Sequence, residues 1–90
     1  MSSYAPVKDE LLVRLRRIEG QVKGLQRMVE EGKYCVDVLT QIAAVRAALK
    51  TVGTIIFEHH VRGCVRNAIM MKQGDEIIRE LIDILNKFMD

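Results

Sequence analysis

The chain has 90 residues and a net charge of +2, and 49% of its residues are hydrophobic, with one proline and no tryptophan. This length predicts a single domain over residues 1–90 with a modest core, so the remaining apolar surface is expected to pack against other copies of the chain. Uninterrupted apolar runs fall short of the roughly 20 residues that span a membrane, and the short polar start does not resemble a signal peptide. We therefore expect a cytoplasmic protein with reduced cysteines and no membrane partner.

Positive charge is concentrated in the first third of the chain. Between residues 14 and 27, a single acid, Glu19, stands against five basic residues. A basic stripe of this kind, multiplied by oligomerisation, predicts a surface that binds nucleic-acid phosphates, although a solvated helix face has the same composition. The basic residues are Arg14, Arg16, Arg17, Lys23 and Arg27.

A first helix is predicted from about Val7 to Glu31, because apolar residues recur there every three or four positions and form one stripe. Pro6 suits the approach to a helix start, and Gly32 suits the C-terminal cap. Residues 1–6 are predicted to be disordered. The stripe consists of Val7, Leu11, Leu15, Ile18, Val22, Leu25 and Val29.

A second helix is predicted from near Tyr34 to about Met71, although two internal glycines, Gly53 and Gly63, each cost about 1 kcal/mol relative to alanine. Tertiary packing must therefore hold this helix together. Gln73 and Gly74 break the pattern, and Asp75 can cap a third helix. The chain is thus predicted to be all-α with three helices. The apolar side of the third helix consists of Ile78, Leu81, Ile82, Leu85 and Phe88.

The chemistry-bearing residues are two cysteines and a histidine. His60 and Cys64 are four residues apart, so on a helix they share one face and can reach one ion. Cys35 lies 25 residues before His60, which corresponds to about 38 Å along a continuous helix. Within one chain, Cys35 therefore cannot bind the same ion as the other two residues.

An antiparallel second copy removes this obstacle. If Cys35 lies beside the His60–Cys64 turn of its mate, the two-fold axis falls near residues 48–50. Small side chains around that crossing allow two helices to approach closely, and the symmetry creates two equivalent sites per dimer. The small residues are Ala43, Ala44, Ala47 and Ala48.

Two thiolates and one imidazole favour Cu(I) and also suit zinc. Zinc usually takes four ligands, and no fourth ligand stands out, since His59 points about 100° away from His60 around the helix. On spacing alone, two buried cysteines and a core histidine are an equally good interpretation, because free cysteine often behaves as a small hydrophobic residue.

Three segments of the chain carry a family resemblance: residues 14–31 (RLRRIEGQVKGLQRMVEE), YCVDVLTQI from Tyr34 and VRAAL from Val45. With them the chain resembles the copper-sensing repressor (CsoR) family over nearly its whole length, from Val7 to about Phe88. The resemblance implies an all-α subunit, an antiparallel four-helix-bundle dimer and a dimer of dimers. It also implies that the metal-free protein binds operator DNA without a helix-turn-helix and that Cu(I) releases it, derepressing copper-resistance genes.

Ligand positions separate the branches of this superfamily. The copper branch has cysteine, histidine and cysteine at the three ligand positions, and this chain resembles it with Cys35, His60 and Cys64. A nickel/cobalt sensor would have histidine in place of Cys64 and another near the N-terminus, a formaldehyde sensor typically lacks the third thiol, and a persulfide sensor replaces the histidine. The resemblance therefore implies Cu(I) as the bound metal.

The resemblance also implies residues that support these two activities. Tyr34 and Glu80 match positions that orient the metal-binding histidine, although packing and solvation explain both without the resemblance. Gly20 lies near the basic flank and could admit a phosphate or another helix. The implied DNA contacts are Arg14, Arg16, Arg17 and Arg46.

Other functions stay open at this point. The same ligands would serve a copper-buffering protein without a DNA role, and two thiols would serve a persulfide-responsive or other metal-responsive repressor. A copper chaperone could donate the metal. An enzyme is not expected, because the sequence shows no catalytic dyad, nucleotide-binding loop or carboxylate pair.

Overall fold

The computed structural model describes residues 4–71 and 74–89 of the chain. Within these ranges it contains one turn of 3-10 helix, Ala5–Val7, and three α-helices, with no strand. The helices are α1 (Lys8–Glu30), α2 (Cys35–Met71) and α3 (Gly74–Met89). The all-α class and the three predicted helices are confirmed.

Gly32 ends α1 as predicted. Its φ of 65° lies in the left-handed region, which glycine enters without steric cost. The N–H of Gly32 donates to the Val29 carbonyl at 3.1 Å and the N–H of Lys33 donates to the Met28 carbonyl at 3.0 Å. These two bonds form the Schellman motif, which turns the chain towards α2.

The N-terminal ends of the helices differ from the sequence predictions. Ala5–Val7 form a 3-10 turn, which suits the helical φ of proline. The disorder of residues 1–6 stays a prediction, and residues 1–3 lie outside the described residues. The predicted cap at Asp75 is wrong, since α3 begins one residue earlier at Gly74 and Asp75 lies in the first turn. There its carboxylate interacts favourably with the helix dipole instead.

Contacts divide the chain into two compact units, and the first comprises Pro6–Thr54. Its core consists of residues that are less than one-tenth exposed, and α1 and the first part of α2 each contribute two. The predicted single stripe of α1 is split, because Leu15, Val22 and Val29 are exposed. One neighbouring helix covers only part of an apolar arc this wide. The core residues are Leu11, Ile18, Val45 and Val52.

The second unit comprises Met1–Ala5 and Ile55–Asp90. Among its described side chains none is fully buried. On α3, Ile77, Leu81 and Ile84 are half-buried, whereas Ile78 and Ile82 are exposed. The apolar surface of α3 is therefore wider than what this unit covers.

The expectation that no apolar stretch is long enough to span a membrane needs correction in α2. Cys35–Gly63 is 29 residues long and contains an 18-residue window with a mean hydropathy of 1.2, which is sufficient to cross a membrane by length and composition. Uninterrupted apolar runs miss this stretch because isolated charges such as Arg46 and Lys50 divide it. Long core helices of soluble proteins meet the same criterion. The stretch therefore indicates an apolar surface that must be buried, but it does not show whether lipid or protein buries it.

Candidate metal centre

Cys35 is the first residue of α2. The carbonyl of Tyr34 accepts hydrogen bonds from the N–H groups of Asp37 and Val38 at 3.0 and 3.1 Å, so the backbone of Tyr34 starts the helix. Both side chains are exposed, and that of Tyr34 is 70% exposed. The Cys35 thiol is therefore accessible to a second molecule.

His60 lies on α2 and contacts Glu80 of α3. Its Nε2 is 3.6 Å from Oε1 of Glu80, and the two side chains are 30% and 57% exposed. This distance exceeds that of a good hydrogen bond, so the contact between these two atoms is an electrostatic one. The structure thus brings together two of the residues singled out from the sequence.

Cys64 follows His60 by one turn of α2, and its side chain lies outside the described part of the structure. Among the described side chains, no group of three histidine, cysteine, aspartate or glutamate residues could hold a metal within one chain. The set Cys35, His60 and Cys64 stays a prediction. This prediction requires a second chain. Because α2 is one continuous helix, Cys35 and His60 of the same chain are too far apart along it to bind one ion.

The basic residues lie on α1 and α2. Arg16, Arg17 and Arg46 are exposed, whereas Arg14 is half-buried. The guanidinium of Arg14 donates from Nε and Nη2 to Oε1 of Glu10, each at 3.3 Å. This acid has no part in the sequence-based prediction, although a spacing of four residues on a helix signals such pairs.

The metal-sensitive transcriptional repressor family has a sequence model that matches residues 7–87. The chain therefore belongs to this family, which confirms the resemblance found in the sequence and identifies a regulator, not an enzyme. The chain is 51% identical over 81 residues to the copper-sensing transcriptional repressor CsoR of Bacillus subtilis (strain 168), a match that covers 90% of this chain and 80% of the relative.

Two solved structures share the fold. The copper-sensing repressor CsoR with Cu(I) from Geobacillus thermodenitrificans NG80-2 superposes with a TM-score of 0.86 and 43% identity, covering 96% of this chain and 90% of that one. The nickel-responsive transcriptional regulator InrS superposes with a TM-score of 0.80 and 38% identity, covering 89% and 90%. Since one fold serves sensors of two metals, the ligands and not the fold must select the metal.

Proposed function

We propose that this chain is a Cu(I)-responsive transcriptional repressor that binds operator DNA without metal and releases it when Cu(I) binds, derepressing copper-resistance genes. The observation that carries the proposal is the set Cys35, His60 and Cys64 in a member of a metal-sensitive repressor family. The copper-sensing relatives support it.

The donor set fits Cu(I) better than it fits the alternatives. Two thiolates and one imidazole are soft ligands, and Cu(I) accepts three of them, whereas zinc usually requires a fourth. Nε2 of His60 faces Glu80, so we assign the other ring nitrogen, Nδ1, to the metal. The carboxylate would then orient the imidazole, as acceptors near metal-binding histidines generally do.

The site is proposed to form between two antiparallel copies. Cys35 lies on the same face of α2 as Leu39, Ile42 and Leu49, because these positions follow at intervals of three, four and seven residues. All three apolar side chains are exposed. A second copy that covers this face therefore meets the Cys35 thiol. Such dimers would pair into a dimer of dimers, as the family resemblance implies.

This oligomer also accounts for the long apolar stretch of α2. A membrane would have to accept Arg46 and Lys50 within the stretch, each at a cost of about 3 kcal/mol near the bilayer centre. A second helix can instead leave both side chains in water at the edge of the contact. We therefore place the protein in the cytoplasm, where its thiols are reduced.

DNA binding is proposed to involve Arg14, Arg16, Arg17 and Arg46. Several copies of these side chains in one oligomer would form a broad phosphate-binding surface, and binding should weaken steeply with salt. Copper needs only to bind the DNA-free state better: a coupling of about 3 kcal/mol changes DNA affinity roughly a hundredfold. With a metal at His60, the contact between His60 and Glu80 would provide a route from the metal to α3.

The proposal is tested by fluorescence anisotropy of a labelled duplex selected from random sequence by the metal-free protein. Under reducing conditions, Cu(I) should weaken binding roughly a hundredfold, whereas Zn(II) and Ni(II) should have little effect. Cys35→Ala should bind DNA and lose the copper response. Met70→Ala is the matched control, because it removes another exposed sulfur of α2 outside the proposed ligand set. DNA binding that is indifferent to Cu(I) would contradict the proposal.

A further inference from the structure

Two acid–base pairs with the same spacing lie on α1. Oε1 of Glu10 is 3.3 Å from Nη2 of Arg14, and Oε1 of Glu19 is 3.4 Å from Nζ of Lys23. All four side chains are at least two-fifths exposed, so neither pair contributes much to the free energy of unfolding. A role for either pair must therefore lie in how it affects the binding of another molecule to the basic side chain.

The two pairs lie on different sides of α1. At 100° per residue, Glu10 falls within about 40° of both Arg14 and Arg17, whereas Glu19 lies about 180° away from Glu10. Glu10 is therefore on the flank of α1 with Arg14 and Arg17, two of the proposed phosphate contacts. Glu19 is on the opposite flank, about 60° from the third, Arg16, and is paired with Lys23. Arg14 also differs from Lys23 in giving two donors, Nε and Nη2, to one carboxylate oxygen.

We propose that Glu10 is a positioning residue that sets the affinity of the protein for DNA by holding the Arg14 guanidinium along α1 until a phosphate displaces it. The proposal rests on the proposed DNA-binding function. A phosphate oxygen can replace the carboxylate because both accept from the same two donors. In the complex, the released carboxylate leaves a negative charge beside the DNA backbone in every subunit, which opposes binding.

Removing this charge should tighten DNA binding. Glu10→Gln keeps the size of the side chain and removes its charge, so we expect affinity for the selected duplex to rise about fivefold at low salt, with the difference shrinking as salt screens it. The dependence of log affinity on log salt should become steeper, because more cations are released when Arg14 meets a phosphate unopposed. Glu19→Gln makes the same change in net charge on the other flank. Because Glu19 is paired with Lys23 and not with a proposed DNA contact, this variant is expected to gain much less DNA affinity than Glu10→Gln.

The decisive measurement is anisotropy over a range of salt concentrations for the oligomeric protein and both glutamine variants. Arg14→Lys provides a second background, in which Glu10→Gln should have a smaller effect because lysine lacks the paired donors of arginine. Thermal unfolding and the Cu(I) titration should be unchanged in both glutamine variants, which separates an effect on DNA binding from a structural one.

Two results would overturn the proposal. Equal tightening by Glu10→Gln and Glu19→Gln would do so, since the change in net charge would then explain both. An equal gain from Glu10→Gln with and without Arg14→Lys would also do so, because the effect of Glu10 would then not depend on the guanidinium that it holds.

Failure of this inference is distinguishable from failure of the proposed function. If the original protein does not bind the duplex, or binds it without a response to Cu(I), the repressor proposal fails. If the original protein binds and is released by Cu(I) but Glu10→Gln behaves identically, the role of Glu10 alone is refuted.

Discussion

The two compact units of the chain differ in how far their described side chains are buried. In the unit Pro6–Thr54, α1 and the first part of α2 enclose a small core that includes Ile18 and Val52. In the unit that contains His60 and α3, no described side chain is fully buried, and Ile78 and Ile82 are more than half exposed. The unit that contains two of the three proposed metal ligands is thus the one in which no described side chain is fully buried.

This difference has a physical consequence for sensing. Segments with few buried contacts open at low free-energy cost, and a ligand that binds only the ordered form stabilises it by mass action. A metal bound at the proposed ligand His60 would therefore change the order of its own unit without having to disrupt the core around Ile18. Matched substitutions in the two units test whether they differ in stability in this way.

The largest effect is expected in the unit that has a core. Ile18 is 6% exposed, so Ile18→Ala leaves a cavity and should lower the free energy of unfolding by about 3 kcal/mol. Urea unfolding followed by circular dichroism measures this, and the loss should be present at every protein concentration because the contact lies within one chain.

Ile78→Ala is the matched control in the other unit, where the side chain is 56% exposed. Its effect should be well below about 1 kcal/mol in dilute protein and should grow with concentration if a second copy covers α3. A large loss in dilute protein would show that the His60 unit has a core after all and would remove the contrast.

An intermediate effect is expected at the contact between α2 and α3. Glu80→Gln removes the charge that faces Nε2 of His60 and should weaken Cu(I) binding about 10- to 100-fold. The free energy of unfolding should change little, because the Glu80 side chain is 57% exposed and exposed ion pairs contribute little. Competition with a coloured Cu(I) chelator gives the affinity.

Glu76→Gln serves as the control, since Glu76 is an exposed carboxylate one turn earlier on α3. It should leave Cu(I) affinity within about twofold, because its charge is not the one that faces the imidazole. If both variants weaken copper binding equally, the general field of α3 and not the contact with His60 is responsible.

The helices were predictable because their signals are local. The ends of α2 agree with the prediction to within a residue, and Gly32 marks the end of α1 through its own conformational freedom. The apolar period of α1 could not distinguish Ile18, which is buried, from Leu15, which is exposed. The sequence shows that a helix face is apolar, but it does not show which neighbouring helix packs against each residue of that face.

The candidate site was predictable only in part for the same reason. The contact between His60 and Glu80 joins residues 20 positions apart, and only the family resemblance suggested it. The pair Glu10–Arg14 follows from helical spacing, but Glu10 lies before the basic stripe and so has no place in the sequence-based prediction. A contact between two copies of the chain cannot be predicted from the residue spacing within one copy.

The smallest effect concerns two glycines, one within α1 and one just after its end. At Gly32, where φ is 65°, Gly32→Ala should cost about 1 kcal/mol, since a side chain is disfavoured in the left-handed region. At Gly20, a Cβ would meet nothing within 4 Å, so Gly20→Ala should stabilise the helix by up to about 1 kcal/mol. Opposite shifts in the urea midpoint for the same substitution would show that local backbone conformation decides both. If Gly20→Ala is also destabilising, and more so at high protein concentration, another copy must pack against α1 at Gly20, and the covered surface of the core unit is larger than a single chain shows.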